Sequence, residues 1–227
     1  MHIPDGFLSP EVAGATAVVA AGAVAVGVRQ AGARLDDRQV PLLGVTGAFV
    51  FAVQMLNFPV AGGTSGHFLG AALTAVLLGP WLACLVMAVV IATQCFVFAD
   101  GGISAVGANV LNMGVIGALL VGGLMLAARR LLPRRRGVLL AVAGAGAWLA
   151  VVAGALGTAA CLAISGTVAA GTVVPAIVGV HAVIGVGEAV ITVAALSAIM
   201  ASRPDLIGGW APAQPASGGV RTFPQAA

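Results

Sequence analysis

Seven apolar segments, separated by short polar stretches, are the feature that most limits what this chain can fold into. A helix needs roughly 20 residues to cross the hydrocarbon core of a bilayer at about 1.5 Å per residue, and most of the segments reach this length. The third segment is too short to span. We therefore expect an all-α integral membrane protein with seven transmembrane helices, the short third helix being preceded by a buried loop. The segments run over about 11–28, 41–57, 67–79, 81–98, 107–128, 138–164 and 174–201.

The composition excludes several other classes of protein. Charged residues make up 7% of the 227 residues and hydrophobic residues make up 60%, whereas soluble domains carry roughly a quarter charged residues. So few charges cannot cover the surface of a soluble protein of this size. A soluble enzyme, a nucleic-acid-binding module and a disordered chain are therefore excluded, and a multi-pass protein of the plasma (inner) membrane is expected.

The basic residues set the expected orientation. All ten are arginines, and they follow the first, fifth and seventh apolar segments, so that seven crossings place them all on one side of the membrane. Cytoplasmic loops carry an excess of Lys and Arg, which predicts an outside N-terminus and a cytoplasmic C-terminus. The outer face then holds Asp5, Glu11 and Asp100, a mildly acidic mouth that suits a cation. The arginines are Arg29, Arg34, Arg38, Arg129, Arg130, Arg134, Arg135, Arg136, Arg203 and Arg221.

Lysine is absent from the chain. A P-loop needs its lysine to reach the β- and γ-phosphates, so this chain holds no P-loop. If the protein does work driven by ATP, we expect another subunit to supply the ATPase.

The two ends of the chain differ in character. Residues 1–28 contain no Arg or Lys but do contain Asp5 and Glu11, so they lack the positive region of a signal peptide. We expect an uncleaved first helix, with the amine of Met1 kept on the mature protein. Residues 208–227 are rich in Ala, Pro, Ser and Gly, which predicts a disordered cytoplasmic tail behind a single membrane domain over 1–207. Ile3, Phe7 and Leu8 are apolar anchors with which the N-terminal segment 1–10 would insert into that domain.

The first two residues offer an unusual set of nitrogen atoms. The amine of Met1 and the amide of His2 close a five-membered chelate ring, and that amide and the imidazole Nδ1 close a six-membered ring. If the amide loses its proton, three nitrogens lie in one plane, and a fourth would complete a square. Square-planar nitrogen sites indicate Ni(II) or Cu(II), and cobalt is accommodated with strain or an extra ligand. The alternative is that His2 is a surface residue on a frayed terminus.

His67 follows a stretch with turn chemistry, Asn57 to Gly66. Such backbone inside a membrane protein must be buried in protein or line a cavity, and a histidine at membrane depth is a functional-site hypothesis by default. His67 is therefore the candidate fourth nitrogen, and Asn57, Thr64 and Ser65 are candidate partners of its other ring nitrogen. A purely structural histidine, hydrogen-bonded to a neighbouring helix, is the alternative.

Other polar residues within the apolar segments carry weaker signals. His181 and Glu188 lie seven residues apart on the last helix and project from one face, which is typical of a structural polar pair or of a relay. Asp100, Asn109 and Asn112 are expected to line the outer cavity, with Gln54 and Gln94 as further lining residues. Hydrogen bonds between helices are the alternative role for all of them.

Several motifs, in this order, resemble one known family. The opening MHIPDGFLSP, the loop NFPVAGGTSGHFLGA, the turn LLGPW, and the stretches FADGGISAVGANVLNMG and HAVIGVGEAVIT are similar to the substrate-capture subunit of energy-coupling-factor ABC transporters for nickel and cobalt, the CbiM/NikM family. The match covers roughly residues 1–206.

The resemblance implies a site and partners. It implies seven helices and an N-terminal segment inserted from outside, with the metal held by the amine of Met1, the amide and imidazole of His2 and the imidazole of His67. Co²⁺ or Ni²⁺ would be the transported substrate, with no organic cofactor and no catalytic residue. The partners would be a transmembrane coupling subunit, cytoplasmic ATPase subunits and a small accessory membrane subunit.

Two other functions remain as alternatives. A stand-alone secondary transporter or channel for divalent metals needs an ionisable path across the membrane, and the helices offer only Glu188 and His181. An intramembrane metalloenzyme is disfavoured because the chain has no HExxH motif and its three histidines are dispersed.

Overall fold

The structure, a computed structural model, describes residues 1–35, 39–56, 58–60 and 64–207, so the expected tail over 208–227 lies outside the described residues. Most of the described residues are helical. The helices are α1 (Pro10–Arg34), α2 (Gln39–Gln54), α3 (Ala71–Leu78), α4 (Pro80–Phe98), α5 (Val106–Val110), α6 (Ile116–Leu131), α7 (Arg136–Ile164) and α8 (Ala170–Ser202), with a 3₁₀ turn at Pro204–Leu206.

Seven helical segments are present in the described part of the chain, as expected. A π-helical turn, Leu111–Val115, joins α5 and α6 into one segment over Val106–Leu131. Five segments are long and apolar enough to cross a membrane, namely α1, α4, the α5–α6 segment, α7 and α8. The other two are shorter than the expected spans, because α2 has 16 residues and α3 has 8.

The third helix begins later than the hydropathy predicts. Helix α3 begins at Ala71, four residues beyond His67, and Gly70 before it adopts a left-handed conformation with φ +77°. A Cβ on Gly70 would lie 2.8 Å from the side chain of Val50, so the close packing also requires glycine here. Residues 67–70 are non-helical and buried, which agrees with the predicted buried loop.

The all-α expectation is confirmed apart from one short stretch. Phe58–Val60 and Thr64–Gly66 form two three-residue strands that pair antiparallel, with Pro59 opposite Ser65. They precede the His67 loop, and their pairing satisfies backbone N–H and C=O groups of this non-helical segment, as a membrane protein requires.

Helix α3 forms the centre of the molecule. Its residues Ala71 to Val76 are all buried, and it packs against α4, α6, α7 and α8. Eight residues cover only about 12 Å at 1.5 Å per residue. The loop that carries His67 therefore lies deep in the helix bundle, well below the level at which the longer helices end.

The two ends of the bundle differ in charge. Residues 1–9 lie with the connections 99–105 and 165–169 at one end, where Asp5 contacts Ser104 and Phe7 contacts Thr167. The connections 131–136 and the start of the 3₁₀ turn lie at the other end and carry arginines. Between the ends, large apolar side chains such as Val18, Val89 and Val183 are exposed on the helix surfaces, as expected of a multi-pass membrane protein in contact with lipid.

Candidate metal centre

Residues 1–9, here called the N-terminal strap, are fixed to the bundle by hydrogen bonds to their backbone. The amide of Asn109 pairs with Ile3 in both directions: the Ile3 N–H donates to Asn109 Oδ1 (2.8 Å), and Asn109 Nδ2 donates to the Ile3 carbonyl (3.1 Å). The Gly102 N–H donates to the same carbonyl at 2.9 Å. Asn109 was expected to line the cavity, and its observed contact is with the strap.

The rest of the strap is attached further out. The N–H and the hydroxyl of Ser104 both donate to Asp5 Oδ1, at 2.7 and 2.6 Å, and the Thr167 hydroxyl donates to the carbonyl of Phe7. Ser9 then caps α1 by accepting from the N–H of Val12, with Pro10 at the first helical position. The strap is thus an ordered element that returns its first residues into the bundle, and not a frayed terminus.

The ordered strap brings the first residues to His67. The amine nitrogen of Met1 lies 3.4 Å from His67 Nε2, and the ring centroids of His2 and His67 are 5.1 Å apart. His67 Nδ1 lies 2.9 Å from the carbonyl of Phe68. Since a carbonyl only accepts, Nδ1 carries the proton and Nε2 presents its lone pair towards the amine.

His2 has two buried ring nitrogens without a hydrogen-bond partner in the described part of the chain. Its Nε2 lies 3.6 Å from Asp100 Oδ2, so the carboxylate favours a proton on Nε2 and leaves Nδ1 as a lone-pair donor. A buried imidazole nitrogen without a partner is costly unless a ligand binds it. Among the described residues the backbone N–H of His2 also makes no hydrogen bond, in contrast to that of Ile3.

Burial shifts the strap's nitrogens towards their neutral forms. Burial lowers the pKa of the Met1 amine to about 6, partly opposed by the charge of Asp100. Burial likewise lowers the pKa of His2 to about 4, with Asp100 opposing the shift and the Met1 amine adding to it. Both groups are therefore largely unprotonated at pH 7, and their lone pairs are available to a cation.

The loop after His67 is held from two sides. The N–H groups of Leu69 and Gly70 donate to Glu188 Oε2 and Oε1 on α8, each at 2.8 Å. Gln54 on α2 donates to the Leu69 carbonyl at 2.5 Å, and Gln94 on α4 donates to Gln54 Oε1 at 2.8 Å. Glu188 was considered as a relay, and Gln54 and Gln94 as cavity-lining residues. The role observed for all three is hydrogen bonding between elements.

In the described part of the chain, the other expected site residues make no hydrogen bond to this cluster, although His181 lies close enough to interact electrostatically with His67 and the Met1 amine. His181 is buried and its Nδ1 donates to the Ile177 carbonyl within α8. Asn112 lies in the π-helical turn, with its Nδ2 3.7 Å from Cys161 Sγ. Asn57 lies outside the described residues, as do the side chains of Thr64 and Ser65, and the observed partner of His67 Nδ1 is the Phe68 carbonyl.

The strap's docking residues were missed in the sequence. Gly101 and Gly102 follow Asp100, and a Cβ on Gly101 would lie 3.1 Å from His2 Nδ1 and 2.9 Å from Asn109 Nδ2. Ser104 and Thr167 anchor Asp5 and Phe7. The adjacent glycines in ADGGIS were the available signal, because paired glycines often mark a close approach of another chain segment.

Comparisons with known proteins agree on one family. A family model described as the cobalt uptake substrate-specific transmembrane region, CbiM, matches residues 2–206. A protein of Haloquadratum walsbyi that carries the name of a metal transport protein is 43% identical over 209 residues, which are 91% of this chain and 93% of the relative. The fused nickel transport protein NikMN of Rhodobacter capsulatus is 42% identical over 119 residues, which are 52% of this chain and 34% of that protein.

A solved structure has the same fold. The crystal structure of a truncated transition metal transporter aligns with a TM-score of 0.80 at 30% identity, and covers 88% of this chain and 99% of the other. The chain therefore belongs to the CbiM family of cobalt and nickel transport membrane proteins.

Proposed function

We propose that this chain is the substrate-capture subunit of an energy-coupling-factor ABC transporter that imports Ni²⁺ or Co²⁺. The observation that carries the proposal is the convergence of three nitrogen donors: the Met1 amine lies 3.4 Å from His67 Nε2, and the buried Nδ1 of His2 has no hydrogen-bond partner in the described chain. The family and its relatives, which are named for cobalt and nickel transport, support the choice of substrate.

The donor set suits a planar metal ion. The Met1 amine, the deprotonated amide of His2 and its Nδ1 form fused five- and six-membered chelate rings, and His67 Nε2 supplies the fourth nitrogen. No group of three His, Cys, Asp or Glu side chains in the described residues is placed to hold a metal, so the proposed site depends on main-chain nitrogens. Four nitrogens in a plane favour Ni(II), whereas Co(II) would take an extra ligand or a distorted geometry.

Asp100 has two roles in this proposal. Its carboxylate lies near His2 Nε2, and a carboxylate behind a ligating histidine fixes the tautomer and the ring orientation. With Asp5 and Glu11 it also makes the strap end of the bundle acidic, which raises the local concentration of a cation.

The proposal includes partner subunits. Because the chain has no lysine and so no P-loop, cytoplasmic ATPase subunits would hydrolyse ATP, and a transmembrane coupling subunit and a small accessory membrane subunit would join them to this chain. Movement of the partners would then release the metal on the arginine-rich side. A stand-alone transporter would instead move Ni²⁺ into liposomes without any partner, and that measurement separates the two functions.

Calorimetric titration of the purified protein with Ni²⁺ and Co²⁺ tests the site. We expect His2→Ala and His67→Ala each to lose at least about 100-fold in affinity, because each removes a ligand and leaves an incomplete plane. Thr192→Val is the control, since Thr192 is also buried, in α8, but offers no nitrogen to a metal. Unchanged affinity in both ligand variants would refute the proposed site.

A further inference from the structure

A buried carboxylate lies directly behind the loop that carries His67. Glu188, on α8, is 2% exposed, and its two oxygens each accept one N–H from the consecutive residues Leu69 and Gly70. We propose that Glu188 is a positioning residue of the metal site, which holds this loop so that His67 Nε2 meets the nitrogens of the strap. The inference rests on the proposed function, since it assigns a role within the same site.

The hydrogen bonds at position 188 require a carboxylate, and another polar side chain would not serve. Both oxygens act as acceptors at 2.8 Å, and only an ionised carboxyl group offers acceptors alone on both atoms. The N–H groups it binds precede α3, where backbone donors have no partner within the helix and where negative charge is favourable. Removing one acceptor therefore leaves a buried N–H without a partner.

The same peptide is also held by a hydrogen bond from α2. Gln54 donates to the Leu69 carbonyl, and Gln94 donates to Gln54. Both the donor and the acceptor of Leu69 are thus bound, by α8 on one side and by α2 on the other. The peptide between Leu69 and Gly70 therefore has a fixed position relative to the three helices α2, α4 and α8.

The position of the His67 imidazole is closely tied to the position of this peptide. His67 is two residues before Leu69, its Nδ1 is bonded to the Phe68 carbonyl at 2.9 Å, and the Phe68 ring stacks edge-on against Phe49 with centroids 6.2 Å apart. Gly70 is packed against both Val50 and Phe68. A shift of the 69–70 peptide therefore moves the His67 ring, and a planar four-nitrogen site tolerates little displacement of one donor.

The test compares variants of Glu188 in the purified full chain, with Ni²⁺ as the probe. Glu188→Gln keeps the shape but points an NH₂ group at a backbone N–H. We expect about 10- to 100-fold weaker Ni²⁺ affinity, the range typical of losing a group that orients a metal ligand, with faster release to a chelator and a shifted Ni²⁺ d–d absorption band. Glu188→Asp keeps both oxygens on a shorter side chain. Its Ni²⁺ affinity should lie between that of the wild type and that of Glu188→Gln.

Thr192→Val is the matched control. Thr192 lies one turn further along α8, it is fully buried, and its hydroxyl has no partner among the described residues. This variant should keep the wild-type affinity and d–d band even if its thermal stability changes. A role of Glu188 in stability alone would lower the thermal midpoint of Glu188→Gln and leave the d–d band and affinity unchanged, which would overturn the inference.

The outcomes separate this inference from the proposed function. If His67→Ala abolishes Ni²⁺ binding while Glu188→Gln binds as the wild type does, the metal site stands and the positioning role is wrong. If His67→Ala also binds as the wild type does, the proposed site itself fails. If Glu188→Gln does not fold, the Ni²⁺ affinity, the release to a chelator and the d–d band are measured on Glu188→Asp instead.

Discussion

At the residue scale, the candidate ligands were predictable because their chemistry is local. The amine, amide and Nδ1 of the first two residues form chelate rings that follow from covalent geometry, and His67 stands out because the chain has only three histidines. Their approach to one another depends on the fold. The partner of His67 Nδ1 could not be predicted from side chains, because it is a backbone carbonyl presented by the turn at Phe68.

The buried amine gives a prediction about protons. Metal and protons compete for the same lone pairs, so Ni²⁺ affinity should fall as the pH falls. With the pKa of Met1 lowered to about 6, the amine is mostly unprotonated at pH 7, and binding should release about one proton, that of the His2 amide, rising towards two at pH 5.5. Calorimetry in buffers of different ionisation enthalpy measures this number. Release of two protons at pH 7 would indicate a solvent-exposed amine, and release of none would exclude the amide as a ligand.

The lack of lysine makes the amine itself testable. Met1 carries the only primary amine in the chain, so an acetylating N-hydroxysuccinimide ester modifies a single such site, which mass spectrometry detects. Acetylation removes the lone pair of the amine, so we expect the acetylated protein to lose Ni²⁺ binding. Ni²⁺ bound beforehand should protect the amine from the reagent. Full binding by the acetylated protein would show that the amine is not a ligand.

At the element scale, hydropathy predicted where the helices lie but not how the strap docks. The ends of the expected segments lie within six residues of the ends of the observed helices, because apolar length alone determines which stretches can sit in lipid. The start of α3 was misplaced, since Gly70 and the bonds from Glu188 end the loop there. The pairing of Asn109 with Ile3 joins residues 106 positions apart, and no local pattern reveals such a contact.

The docking of the strap depends on a glycine. A Cβ on Gly102 would collide with the backbone of Asp5 and lie 2.6 Å from the carbonyl carbon of Pro4, neither of which can rotate away. Gly102→Ala should therefore displace the strap at a cost of about 1–3 kcal/mol, which corresponds to roughly 5- to 150-fold weaker Ni²⁺ binding. Faster acetylation of the Met1 amine should accompany the loss.

Gly123→Ala provides the control for this substitution. Gly123 lies in α6, and a methyl group added at its Cα would meet no atom of a neighbouring element within 4 Å, so this variant should bind Ni²⁺ as the wild type does. Equal affinity in both variants would mean that the strap tolerates the displacement and does not set the geometry of the site.

At the scale of the whole molecule, the separation of charge accounts for the architecture. The strap and the candidate site occupy one end of the bundle, and the arginines of the connection 131–136 occupy the other. In the proposed function, a metal entering at the strap end would meet Asp5 and Asp100 before the nitrogen donors. The excess of arginine at the other end leads us to expect that end in the cytoplasm. The charge pattern was fully readable from the sequence because it needs only the order of segments and arginines.

This orientation can be measured with single cysteines. The native cysteines Cys84, Cys95 and Cys161 are buried, so a new exposed thiol dominates labelling. In intact cells, a membrane-impermeant maleimide should label Ile103→Cys, whose position is 61% exposed at the strap end. It should label Ser202→Cys, at the end of α8, only after permeabilisation. The reverse pattern would place the strap in the cytoplasm and contradict uptake from outside.

The central claim is that the first two residues and His67 hold one metal ion between them. Anomalous diffraction from crystals of the Ni²⁺-loaded protein, recorded on both sides of the nickel absorption edge, tests it most directly. We expect a single strong peak within bonding distance of the Met1 amine, the His2 amide and Nδ1, and His67 Nε2, with the four nitrogens in one plane. A nickel peak elsewhere, or one bound by His67 with the strap displaced into solvent, would contradict it.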